Sequence, residues 1–293
     1  MEHQRDLPQQ IHASTKDIHH ALNQLIVSRL PLCLPPQADS ARLYALGLSN
    51  FAWMYFISER AWEEQIARTN NHGDGNTRIA QILHRAYIPA LHRSARLYRD
   101  LSQLNATVSE KPEGIVQNIV THITEVAEAR PHVLLAYGWI LYMALFNGGR
   151  WIRKQLAKAG PEFWGTRNFE KACLSFWHFD NSRNEDDWKR DFRARVTEAG
   201  NYLTDEEVQD VVAEAKAIFH MCKSVVLELD AISSREQQSM QLFAPQSLAA
   251  VSEPFPDMQP AKGPPALSNA LLRLSIHGIA AVIVAYIWLW FMS

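Results

Sequence analysis

The stretch VLLAYGWILYMALFNGGR, residues 133–150, decides the fold. Residues 133–146 form a 14-residue run without a charge, and Arg150, Arg153 and Lys154 follow closely. A membrane span needs about 20 apolar residues, so this run reads as a helix buried in a protein core. Gly148 and Gly149 then interrupt the helical pattern. Each costs about 1 kcal/mol relative to alanine in a helix interior. One use for that cost is a bend, or a backbone that a flat ligand can approach closely. A helix end followed by a new helix accounts for the pair equally well.

Outward from this core, strand signals are scarce and helical periodicity dominates. Candidate helices cover 10–30, 40–68, 76–104, 112–128, 131–158, 185–199 and 205–232, separated by turn-rich segments at 32–39, 70–76 and 105–114. Thr204 and Glu207 fit a capping box opening the last of them. The fold class is all-α, and residues 1–232 form one helical domain. The chain of 293 residues is 47% hydrophobic, enough for a large core. Its 29 basic and 31 acidic residues leave a net charge of -2, which gives no electrostatic footprint for nucleic acid. Cys33, Cys173 and Cys222 show no metal spacing and suit a reducing compartment. The polar start MEHQRDLPQQ carries no secretory signal.

Six prolines between 233 and 267 mark a flexible linker. The segment 268–293 is then expected to anchor the chain in a membrane. Its core, 274–292, reads LSIHGIAAVIVAYIWLWFM, 19 residues without Asp, Glu, Lys or Arg. A helix of that length spans about 28 Å, close to the hydrocarbon thickness. Tyr286, Trp288 and Trp290 suit the interface, and Lys262 and Arg273 precede the span. The helical domain is expected on the cytosolic side.

Three groups could carry chemistry. His12, Lys16, His19 and His20 share the first helix, whose apolar stripe is Ile11, Ile18, Leu22, Leu25 and Ile26. At 100° per residue His19 sits at the edge of that stripe and His20 opposite it. A histidine beside a lysine in such a place is more often structural than a ligand. Lys189 and Arg193, i and i+4, could clamp carboxylates, or they could be a solvated basic face balanced by Asp186, Asp187 and Asp191. The glycine pair is the third group.

Taken together these motifs resemble the heme oxygenase family. The family's proximal histidine lies in Thr-Lys-Glu-Val-His, read here as Thr15-Lys16-Asp17-Ile18-His19. Its distal helix, Tyr-Leu-Gly-Asp-Leu-Ser-Gly-Gly, is similar to Tyr142-Met143-Ala144-Leu145-Phe146-Asn147-Gly148-Gly149. Lys189 to Arg195 matches Lys-x-x-x-Arg-x-Arg, and Glu214 to Phe219 matches Glu-Ala-Lys-x-x-Phe. The resemblance runs from about 10 to 232 and extends to the membrane tail.

It implies heme as both substrate and prosthetic group, with His19 as the iron ligand and Phe219 in the pocket. Lys16, Lys189 and Arg193 meet the propionates. Electrons come from NADPH through a partner flavoprotein reductase, and O2 is consumed as heme becomes biliverdin, CO and iron. The implied setting is a single-pass, tail-anchored protein of the endoplasmic reticulum.

The family's distal Asp, which holds a water network, is replaced by Leu145, and the preceding glycine by Ala144. Leucine has neither donor nor acceptor. Tyr142 or Asn147, with Gly148 and Gly149, are the remaining candidates on the reacting side. A non-degrading heme-binding, sensing or trafficking protein is therefore the alternative. A third reading, a non-heme di-iron or interaction scaffold, has only His132 with Glu125 and Glu128 to offer.

Overall fold

The computed structural model describes residues 6–68, 75–106, 112–179 and 183–243. All regular structure among them is helical. The long helices are α1 (Leu7–Arg29), α2 (Arg42–Ala67), α3 (Gly75–Ala86), α4 (Ser94–Gln103), α5 (Gly114–Ala129) and α6 (Leu134–Ala144). A π turn (Leu145–Gly149) leads into α7 (Arg150–Ala157), and two short helices follow, α8 (Gly160–Trp164) and α9 (Phe169–Ala172). The chain then forms α10 (Glu185–Gly200) and α11 (Asp205–Phe243).

Helix α1 starts where Asp6 accepts from the Gln9 amide at 3.0 Å, satisfying one of the free N–H groups of the first turn. Leu7, Ile11, Thr15 and Leu22 form its buried face. The polar Thr15 tolerates burial because its hydroxyl donates to the Ile11 carbonyl at 2.8 Å. The capping box at Thr204 is present in both directions: Thr204 N–H donates to Glu207 at 2.8 Å and Glu207 N–H to Thr204 Oγ1 at 3.2 Å.

Helix α6 is the centre of the core. Leu134, Leu135, Ala136 and Tyr137 are fully buried. It packs on α2, α10 and α11, and every face but one is covered. Gly138 is required for this, because a Cβ there would collide with the Trp62 indole.

Three helix expectations need correction. The span 76–104 is two helices, since Ile88 before Pro89 is extended (φ -132°, ψ 101°) and proline cannot continue the ladder. Helix α11 does not stop at 232 but runs on to Phe243, so the segment after 233 is helical for its first 11 residues. It contains no proline or glycine before Pro245, and nothing in it breaks the helix. The span 131–158 is also not one regular helix, because the π turn divides it. The proposed anchor, 268–293, and the rest of the linker lie outside the described residues. No described helix is long and apolar enough to cross a membrane.

Candidate functional site

The one incompletely covered stripe of α6 and the π turn runs through Ile140, Met143, Ala144, Asn147 and Gly148. Ala144 and Gly148 are exposed, whereas Leu145, Phe146 and Gly149 are buried. A Cβ added to Gly148 would meet nothing within 4 Å, but one on Gly149 would come within 3.2 Å of the Ala144 carbonyl and 3.5 Å of the Trp177 ring. The two glycines therefore do different things. Gly149 makes room for Trp177 inside the protein, and Gly148 leaves a bare backbone facing open space. The π turn itself is held from behind. Phe146 stacks on Phe179 at 4.3 Å, and the Arg93 guanidinium lies 4.6 Å over the other ring of that pair, Phe179. Arg93 is fully buried and is used up on the carbonyls of Ala90, Leu91 and His178.

Helix α1 packs on α10 and α11, and α6 packs on the same two helices. The π turn itself rests on α10. His19 is half-buried on α1, and its ring meets Phe219 of α11 edge-on at 5.6 Å. Burial, with smaller contributions from His12 and His20, pushes its pKa down from 6.5. The neutral imidazole is the form that results, and it is the form that binds a metal. His20 is exposed and bonds to Gln24 at 3.0 Å. His19 is thus the more buried of the two, as the helical wheel places it.

Three candidate cations stand on α1 and α10. Lys16 is exposed on α1. Lys189 on α10 is half-buried, and its pKa is lowered by burial and then by nearby Arg150. Arg193 pairs with Asp6 at 3.7 Å. Arg150 and Arg153, by contrast, are committed to Glu185 and Asp186, which fasten α7 to the start of α10.

The candidates for the reacting side separate. Tyr142 is buried at 5% exposure, and its hydroxyl donates to Glu59 at 3.1 Å. Glu59 has nothing left to offer, since it also accepts from Arg93 N–H, Ser94 N–H and the Ser94 hydroxyl. Leu145 is 3% exposed. Asn147 alone of the polar candidates remains half-exposed beside the stripe. The di-iron candidates disperse: His132 bonds Asp210, Glu128 bonds Arg68, and no group of three metal-binding side chains occurs among the described residues.

A groove of about 480 Å³ lies elsewhere, between α3 and α10, lined by His84, Arg85, Asp191, Arg195 and Glu198. At 100° per residue, Asp191 and Arg195 face away from Lys189 and Arg193. Its charged walls are tied to one another, Arg85 to Glu198 at 2.8 Å and Arg195 to Asp191 at 3.1 Å. The first pair fastens α3 to α10, and the second lies within α10.

Sequence reasoning passed over Trp177, Glu59 and Asp6. Only Glu59 left a signal, as a lone acid in the apolar run from Phe51 to Trp62. The donor set fits a flat, dianionic metal porphyrin: a half-buried neutral histidine on α1, a bare backbone at Gly148, and cations on α1 and α10.

A multi-helical domain with this donor set points to the heme oxygenase class of folds. The family pattern for heme oxygenase matches residues 5–228, and the chain belongs to that family. It is 23% identical to the heme-binding protein HMX1 of Saccharomyces cerevisiae over 78% of this chain and 77% of that protein. It is 26% identical to the heme oxygenase of Porphyra purpurea, covering 60% of this chain and 69% of that one. Among solved structures, heme oxygenase from Leptospira interrogans superposes with a TM-score of 0.61 at 21% identity, covering 76% of this chain and all of that one. Heme oxygenase-1 from Synechocystis, solved with heme, gives 0.61 at 22% identity over 81% and 98%. The all-helical heme oxygenase fold is shared.

Proposed function

We propose that the chain binds heme between α1 and the π turn and cleaves it oxidatively, to biliverdin, CO and iron, at a membrane surface. One observation supports this reading: α1, which bears His19, and α6, which leads into the exposed Gly148, rest on the same two helices, α10 and α11, and would form the two walls of a heme slot. His19 is assigned as the iron ligand, with Phe219 bracing its ring. Lys16, Lys189 and Arg193 are assigned to the two propionates, where charge-assisted bonds are strongest. Gly148 lets the porphyrin face approach the backbone. The heme supplies the iron and the conjugated ring on which O2 is reduced, with electrons from NADPH through a membrane-bound flavoprotein reductase. Relatives named as heme oxygenases and as a heme-binding protein support the ligand. The apolar segment 274–292 supports single-pass anchoring with the helical domain in the cytosol, and the endoplasmic reticulum is the membrane we assign.

The test is turnover of the full-length chain in detergent with heme, NADPH and a flavoprotein reductase. Bile-pigment absorbance should grow as the heme band decays. Intact heme after many equivalents of NADPH would sink the degradation reading.

Leu145 favours a second reading, in which heme is held without ring opening. No carboxylate stands on the slot face of α6 or the π turn, and Tyr142 is spent on Glu59. This reading expects a heme absorbance band that changes on His19→Ala and no bile pigment.

A further inference from the structure

The start of α1 is pinned to α10 at two points. Leu7 is fully buried, and Gly200 must be glycine there, because a Cβ would fall 2.7 Å from Leu7 Cβ. Asp6 Oδ2 lies 3.7 Å from Arg193 Nη2, while Asp6 Oδ1 accepts from the Gln9 amide. The carboxylate is therefore held in place by its capping bond, and it cannot follow Arg193 if that side chain turns toward another anion. The ion pair is water-exposed on both sides, 55% for Arg193 and 38% for Asp6, so it is weak and readily exchanged. A guanidinium has five donors in a planar fork and meets a second carboxylate most strongly when both lobes are free to do so.

We propose that Asp6 is an affinity-setting residue: its carboxylate competes with the heme carboxylates for Arg193. This rests on the heme reading above. Asp6 lowers heme affinity twice over, by occupying Arg193 and by standing as a like charge beside an incoming propionate. It also makes binding sensitive to ionic strength, since the competing pair is screened by salt.

The test exploits the capping chemistry. Asparagine caps a helix about as well as aspartate, so Asp6→Asn keeps α1 intact and removes the charge. Heme is titrated by absorbance into the full-length wild type, Asp6→Asn, Arg193→Gln and the double variant. Thermal melting should be the same for wild type and Asp6→Asn. The heme Kd of Asp6→Asn should fall about two- to fivefold at low salt, the range an exposed pair commands. The gain should fade at high salt, vanish in the Arg193→Gln background, and be absent for heme dimethyl ester, which lacks the anionic carboxylates. Equal affinity of wild type and Asp6→Asn for heme overturns the proposal, as does a gain that persists without Arg193. If neither protein binds heme, the heme reading itself fails and takes this inference with it.

Discussion

The Tyr142 hydroxyl donates to Glu59 Oε1 at 3.1 Å, and this bond turns the tyrosine of the distal helix inward. Glu59 is 4% exposed and receives donors from two backbone amides and one further hydroxyl. It acts as the missing cap of α4, whose own N-cap residue, Arg93, supplies no side-chain bond. Glu59→Ala leaves those donors unpaired and should cost about 2–4 kcal/mol in urea unfolding. Tyr142→Phe should cost only about 1 kcal/mol and leave the heme absorbance band unchanged. A large spectral change in Tyr142→Phe would return that hydroxyl to the slot.

The glycines of the core helix should respond differently to alanine. Gly138→Ala drives a methyl into Trp62 and should destabilise by about 1–3 kcal/mol. Gly148→Ala meets nothing in the protein, so its melting temperature should hold or rise slightly. The same methyl projects into the slot, and heme affinity should drop by about tenfold, a loss of roughly 1.4 kcal/mol. Melting curves alongside absorbance titrations separate the two effects.

His19 should contribute to acid sensitivity. Its folded-state pKa lies below 6.5 because burial disfavours the charged ring. Protons therefore bind the unfolded chain more readily, and the histidine's contribution to stability is complete above pH 6.5 and declines as pH falls below it. His19→Gln should flatten its share of the slope between about pH 5 and pH 7 in urea titrations. An unchanged slope would show that the ring is better hydrated than its packing on Phe219 implies.

Leu145→Asp tests the distal position directly. A carboxyl placed at a site 3% exposed should lower stability by about 2–4 kcal/mol and favour its protonated form. If an acid there organises water, bile-pigment formation per heme bound should rise in spite of the lower stability. A rate equal to that of the wild type would remove the distal carboxylate from the argument.

Much of the molecule is legible in its sequence because the signals are local. The capping box of Thr204 and Glu207, the greater burial of His19 than of His20, and the core helix from Leu134 follow from hydrogen-bond chemistry and 3.6-residue periodicity, both set by neighbours in the chain. The division of 76–104 at Pro89 was also available locally, since the restriction on Ile88 is steric.

Tertiary structure alone decided the roles of the distal residues. Tyr142, Asn147, Gly148 and Gly149 are equally polar or small on paper. Which of them meets the slot depends on Trp177 filling the space behind Gly149 and on Glu59, 83 residues before Tyr142, accepting its hydroxyl. The pairing of Asp6 with Arg193 is of the same kind. From the sequence came the all-helical class, the core helix from Leu134 and the apolar stripe of α1, all set by local periodicity. Only packing could decide which polar groups those faces consume and which they leave to a ligand, because a buried donor takes whatever acceptor the fold brings to it.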